Sequence, residues 1–304
     1  MRKYKTGYIA SSEEVSSKSE IFGKYFSIIY EPKVIDDRIK DDYYVIIKTK
    51  DFQNARKVNQ LIASSLSLID ARNFFTLDSI PQLVPLEKYN EEIPKSHSNV
   101  MSVGRLDIPE AINIATKASF KRKYYLSLLK YQLACELHSN DIMDLYPQYY
   151  NLSRNPADHL RIANAIIIFY SIIEELGLEI RASKKNPSKI NGKWNPKIKA
   201  ELESRLSKSN ININETIDWS LRSTPTKIEK FKNLPLVKKS NWSTFNIRDS
   251  EILIVDAIAH VSWLRSKIAS HKLNKAFTSL SIYDVANVNL LVRRLLLESL
   301  RMFW

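Results

Sequence analysis

Hydrophobic and polar positions change their period along the chain. Phe26–Tyr30 and Tyr43–Thr49 (YYVIIKT) are short runs of β-branched and aromatic residues, bounded by Pro32 and an Asp/Lys turn, and predict strands. Helical spacing begins at once after them. Asp51 stands at an N-cap position, and Val58, Leu61, Ile62, Leu66 and Ile69 recur at steps of three and four. Three prolines from Pro81 to Pro94 mark a connector. Pro109 suits the first turn of a helix running towards His138, with Tyr125, Leu129, Leu133 and Leu137 as an i, i+4 ladder. Asn155-Pro156 opens a further helix through Ile162, Ile166, Phe169, Ile173 and Leu176, weakened at Gly177 and Asn186-Pro187. Its centre, IIIFY, is apolar all round, as in a helix buried inside a bundle.

After a loop, KKNPSKINGKWNPK, a short helix is expected over Ile198–Leu206. Two closing helices follow. Arg248–Ser270 carries Ile252, Val255, Ile258, Ala259, Ser262 and Trp263, while Ser281–Phe303 carries Ile282, Val285, Val288, Val292, Leu295 and Leu296. No internal repeat or sustained heptad is present. The pattern predicts a mainly α protein, with a small α/β accessory domain over 1–96 and a helical domain over 97–304.

Composition narrows the chemistry. With only 5 glycines in 304 residues, and no GxGxxG or GxxxxGK[ST], a glycine-rich phosphate loop is not expected. Cys135, the single cysteine, excludes an internal disulfide and a multi-cysteine zinc site, and its helical surroundings suit a small buried residue. MRKYKTGYIASSEEV is basic but lacks the apolar core of a signal peptide. The longest apolar candidate, Ala163–Tyr170, falls well short of the ~20 residues a bilayer requires. A cytoplasmic protein with no membrane partner is the expectation.

Charge is more informative than hydropathy. The segment Arg181–Arg248 holds 16 Lys/Arg against 5 Asp/Glu, a net +11 of the chain's +13. Such a basic insertion over 181–248 is a candidate polyanion surface through counterion release, and the alternative is a solvated lysine-rich insertion. Lys184, Lys185, Lys189, Lys193, Lys238 and Lys239 are the candidate RNA-binding cations, with Trp194 as a candidate stacking ring. Trp219, Phe231, Trp242 and Phe245 are interleaved in the same segment, although tryptophan more often anchors a core than stacks on a base.

Metal motifs do not emerge: His97, His138, His159, His260 and His271 form no HExxH, and no cofactor is expected. There is no GxSxG elbow. An arginine followed at short range by a histidine occurs twice, in WLRSKIASHKL (Arg265–His271) and RNPADH (Arg154–His159). Chance supplies about one such pair with this composition, so context must discriminate. Arg154–His159 contains Pro156 and reads as a capping loop. Arg265–His271 lies at the end of the penultimate long helix, just before the closing one.

In that placement the chain resembles the HEPN ribonucleases (higher eukaryotes and prokaryotes nucleotide-binding), all-α domains with an R-x4-6-H motif found in toxin–antitoxin, abortive-infection and antiphage systems. The resemblance rests on IVDAIAHVSWLRSKIASH, a turn and SIYDVANVNLLVRRLLLESL, together with the earlier FYSIIEELGLEI. It covers 109–304, and the N-terminal unit lies outside it. The family often has an amide after the arginine, where this chain has Ser266. The resemblance implies a metal-independent endoribonuclease acting through 2′-hydroxyl attack, a homodimer, and an antitoxin or regulatory partner in a defence or toxin role. It makes Arg265 and His271 the catalytic candidates and Glu174 (or Glu175), Ser266 and Ser270 supporting ones.

The residue types suit that chemistry. Histidine serves as base or acid near neutrality, and arginine grips phosphoryl oxygens bidentately. On a continuous helix, six steps leave the two side chains about 120° apart, so the helix must end between them or two chains must contribute. The family does both. A histidine at a helix C-terminus also stabilises without catalysing anything, and Glu174 can be a solvated helix face. Asp256 and His260 flank the site, His260 as a packing residue. The alternative function is a non-catalytic helical nucleic-acid-binding or adaptor protein with a degenerate HEPN fold, which needs the basic segment but neither Arg265 nor His271.

Overall fold

The computed structural model describes residues 1–11, 19–34, 41–71, 80, 82–88, 103–104, 107–137, 156–191, 193–220, 249–269, 280 and 282–302. These residues form seven α-helices and ten short or medium strands, a mainly helical protein with a small α/β part. Two compact units divide it, Met1–Gln132 and Leu133–Trp304. The division falls later than the 96/97 boundary expected from sequence.

The first unit is built on a sheet of β1 (Arg2–Ser11), β2 (Ser19–Phe22), β3 (Ser27–Val34), β4 (Asp41–Thr49) and the two-residue strands β5 (Val84–Pro85) and β6 (Val103–Gly104). Its order is β2-β3-β4-β1-β5, with β6 pairing β1 in parallel and the other pairs antiparallel. The basic N-terminal stretch, which the sequence pattern left unassigned, is thus an inner strand. Its register sets Tyr4 opposite Ile47 and Thr6 opposite Val45, and Ile28 on β3 faces Ile47 from the other side. All five are buried, as period-two alternation requires on one covered face.

Helix α1 (Phe52–Asp70) packs on β4. Asp51 caps it as expected, its Oδ1 accepting from the Asn54 N–H at 2.8 Å. Val58, Leu61, Ile62, Leu66 and Ile69 form the buried stripe. Ala71, at φ 55°, ends the helix in a left-handed cap. Helix α2 (Asp107–Ser119) lies against α1, burying Ile108, Ala111, Ile112 and Ala115. This packing is why the first unit extends past residue 96.

The helix expected to run from Pro109 to His138 is two helices. The turn Phe120–Lys121 separates α2 from α3 (Arg122–Leu137). The expected ladder is also rotated: Leu133 is 39% exposed, whereas Leu128, Tyr131, Ala134 and Cys135 are buried. Tyrosine, alanine and cysteine supply the packed face, which a leucine-weighted pattern overlooks. Cys135 is the small buried residue expected.

In the second unit α4 (Pro156–Leu176) packs along α7 (Ile282–Ser299) and α6 (Ile254–Ala269). Ile162, Ile166, Phe169, Ile173 and Leu176 are all buried, and so are Val285, Val288, Val292, Leu295 and Leu296. Gly177, at φ 76°, closes α4 in a Schellman arrangement, with Leu178 N–H donating to Ile173 O and Gly177 N–H to Glu174 O, each at 2.9 Å. Arg205 then reaches the loop that follows, donating to Gly177 O at 2.6 Å and Glu179 O at 2.7 Å. It projects from α5 (Pro196–Lys208), which buries Ile198, Leu202 and Leu206 as the sequence suggested.

One expectation fails here. Arg248–Ser270 is not a continuous helix, because Asp249–Leu253 is a strand (β10) pairing antiparallel with β9 (Thr216–Ser220). Ile252 therefore belongs to a sheet face rather than a helix stripe, opposite Ile217. The residues between the strands, including Phe231, Trp242 and Phe245, lie outside the described residues.

Candidate active site

Helix α6 carries Arg265 four residues before its last described residue, Ala269, and α4 supplies the surface beneath it. Tyr170 and Glu174 are one turn apart on α4, and Ser262 and Arg265 are one turn apart on α6, so each pair shares a face. The faces meet. Tyr170 Oη donates to Ser262 Oγ at 3.2 Å, the Arg265 guanidinium carbon lies 5.6 Å from the Tyr170 ring centroid, and Arg265 Nη2 is 3.7 Å from Glu174 Oε1.

The tyrosine ring thus supports the cation from below while the carboxylate flanks it. Burial raises the Tyr170 phenol above its ordinary range, opposed by its bond to Ser262, so the phenol is a neutral donor at physiological pH. The Arg265 side chain remains 43% exposed and Glu174 42%, so the pair is a surface feature worth little to stability. What it does is orient a guanidinium. The N–H groups turned to solvent can then meet a phosphoryl oxygen.

Glu174 therefore lies beside the arginine. Ser266, the next residue, is exposed and donates to its own helix, to Trp263 O at 2.7 Å. Ser270 and His271 lie outside the described residues, directly after Ala269, and so does Arg154; nothing is described of the His159 side chain, nor of His97 and His138. Tyr170 and Ser262 were not identified as site residues from the sequence. No local signal could find them, since an aromatic within an apolar helix reads as core.

His260 is a packing residue. It is 2% exposed, with its ring 5.4 Å from Trp219 in an edge-on contact and 5.5 Å from Trp263. Burial, assisted by the Lys189 ammonium, pushes its pKa down to about 4. Trp219, at 1% exposure, is a core anchor.

The first part of the basic insertion is an ordered loop. Strands β7 (Lys189–Ile190) and β8 (Lys193–Trp194) form a small ribbon, with Ser183 and Asn186 exchanging backbone bonds before it. Asn195 caps α5 by accepting from Lys197 N–H at 3.1 Å and donates back to Asn186 Oδ1 at 2.8 Å. Trp194 donates its indole N–H to Asp256 at 2.7 Å, fastening the ribbon to the first turn of α6. Its ring is half-buried with Lys189 Nζ 6.0 Å from the centroid, so one edge at least serves packing. Lys184, Lys185 and Lys193 are exposed, and Lys189 is half-buried. From Asp256 to Arg265 the helix rises about 13 Å, so the loop and the arginine occupy opposite ends of one helix. Lys238 and Lys239 lie outside the described residues.

A groove of about 370 Å³ lies elsewhere, between the β9–β10 ribbon and α7. Glu215, Asp218 and Glu251 line it together with Arg293 and Arg294, the latter bridging Glu215 and Glu298, and none of the expected site residues lines it. Among the described residues no cluster of three His, Cys, Asp or Glu could hold a metal, and no helix is long and apolar enough to cross a membrane. No protein-family model, curated protein or solved structure matches the chain.

Proposed function

We propose that the protein is a metal-independent endoribonuclease of the HEPN type, in which Arg265 and His271 act on RNA. The observation that carries this reading is the arginine's setting: a partly exposed guanidinium braced on Tyr170 and flanked by Glu174, at the end of the helix where the motif begins. In the proposed reaction a base takes the proton of the RNA 2′-hydroxyl, whose oxygen attacks the adjacent phosphorus. The 5′-oxygen leaves with a proton from an acid, and the products carry a 2′,3′-cyclic phosphate and a 5′-hydroxyl. His271 exchanges the proton, and Arg265 stabilises the negative charge that gathers on the phosphoryl oxygens.

The exposed Lys184, Lys185 and Lys193, on a loop fixed to the other end of α6, would hold the flanking strand. A homodimer, an antitoxin or other regulatory partner, and a role in antiviral defence belong to the same proposal through the family resemblance. The second reading is a non-catalytic nucleic-acid-binding or adaptor protein. It is favoured by the same brace, since an arginine held by a ring and a carboxylate also serves simply to join two helices.

Cleavage of mixed RNA in EDTA by the wild type, Arg265→Ala and His271→Ala separates the two. Fragments ending in 2′,3′-cyclic phosphate, formed by the wild type and lost in both variants, support the enzyme. Binding without cleavage supports the adaptor.

A further inference from the structure

The first unit exposes rings and cations that the cleavage chemistry does not use. Phe22 is 70% exposed, Tyr25 73% and Phe120 54%. Two of these rings come from the β2–β3 hairpin. Phe22 pairs with Ser27, and the Gly23 N–H donates to Phe26 O at 2.9 Å, leaving Lys24 and Tyr25 as a two-residue tip. Phe26 is buried against Gly23, so its ring anchors the hairpin while Phe22 and Tyr25 stay in water.

The third ring comes from the α2–α3 turn, and a hydrogen bond joins the two loops. Lys24 N–H donates to Ser119 Oγ at 3.2 Å, and Ser119 Oγ donates to Thr116 O at 2.6 Å. Tyr25 follows Lys24 and Phe120 follows Ser119, so this bond brings the two exposed rings into one neighbourhood. The turn reads KASFKRKYY, residues 117–125, with four cations and no acid. Lys24 Nζ lies 5.2 Å from the Tyr25 centroid, and Lys123 and Lys121 lie 4.9 and 5.8 Å from that of Tyr124. Partial burial, and then Lys121, hold the Lys123 ammonium below the ordinary lysine range.

We propose that this surface is a binding site for single-stranded RNA, with bases stacking on Tyr25 and Phe120 and phosphates on Lys24, Lys121, Arg122 and Lys123. Exposed rings interleaved with cations are what an unpaired strand needs, because every base has a stacking face and every linkage a charge. A duplex hides its base faces and would use only the cations. A protein interface is disfavoured by the charge, since interface cores are depleted of lysine. A bilayer is disfavoured by the level of the charges: Lys24 lies over the Tyr25 ring, and Lys121 and Lys123 over that of Tyr124, instead of behind an apolar tip. This site lies outside the ribonuclease reading and stands without it.

The test uses the full chain carrying Arg265→Ala, with the oligonucleotide checked on a gel after each titration so that only binding to intact RNA is read. Binding of a fluorescein-labelled single-stranded oligouridylate is followed by anisotropy, with duplex RNA as competitor and phosphatidylserine vesicles in parallel. Affinity is expected to fall about tenfold for Tyr25→Ala or Phe120→Ala and roughly a hundredfold for both. Tyr25→Trp with Phe120→Trp should restore it, and unchanged thermal melts should show that the fold is intact. Three outcomes would each overturn the proposal: the double alanine variant binding within twofold of its parent, duplex competing as well as single strand, or ring-dependent binding seen only with vesicles.

Discussion

Acidification should weaken the second unit through one histidine. His260 is 2% exposed between Trp219 and Trp263, and its pKa lies near 4 instead of its ordinary 6.5. Above pH 6.5 the folded and unfolded chains are both neutral at this site, and it makes no difference to stability. As pH falls towards 4 the unfolded chain binds a proton that the folded chain refuses, so stability declines across that window and levels off below it. The full displacement corresponds to roughly 3 kcal/mol, of which about 2 kcal/mol is gone at pH 4.5. Urea unfolding at pH 7 and pH 4.5, followed by tryptophan fluorescence, measures the drop. The same pair of measurements on His260→Gln removes the titration while carboxylates titrate as before. The wild type should lose about 2 kcal/mol more than the variant between the two pH values. Equal losses in both proteins, or an imidazole resonance assigned to His260 that titrates above pH 6, would refute the reasoning.

Other perturbations follow from the same geometry. Arg205→Ala strips two charge-assisted bonds from the loop carbonyls at Gly177 and Glu179, and should cost about 2–3 kcal/mol in urea unfolding, with Arg205→Lys recovering only part. Gly23→Ala places a Cβ inside contact distance of the buried Phe26 ring, so thermal unfolding of the first unit should reveal a loss of roughly 1–3 kcal/mol. Tyr170→Phe keeps the ring under Arg265 and removes only the bond to Ser262. It should cost about 1 kcal/mol by denaturation and leave any RNA cleavage within a fewfold of wild type, whereas Tyr170→Ala should lower cleavage more than it lowers RNA affinity.

Sequence patterns were most informative where one physical signal dominated. Asp51, the α1 stripe, Pro156, Gly177 and the α5 stripe combine caps with strong helical spacing, and each appears where expected. Long-range pairing was less legible. β1 is polar and basic along much of its length and becomes a strand because β4 and β5 pair with it. Likewise Asp249–Leu253 continues an apolar-periodic run into α6, yet β9 draws it into a ribbon. The candidate site divides in the same way. A motif spacing could nominate Arg265, and the family resemblance could nominate Glu174, but Tyr170 and Ser262 meet them only through the packing of α4 on α6. The Trp194–Asp256 bond spans 62 residues and has no local trace, so the same tryptophan read as a stacking candidate.

The most direct measurement is a cleavage time course on single-stranded RNA in EDTA, with the fragment ends identified by mass. Wild-type protein is expected to generate 2′,3′-cyclic phosphate and 5′-hydroxyl ends. Arg265→Ala and His271→Ala should each abolish them while oligonucleotide binding persists. Fragments that form equally well with either variant would contradict the assignment of these two residues.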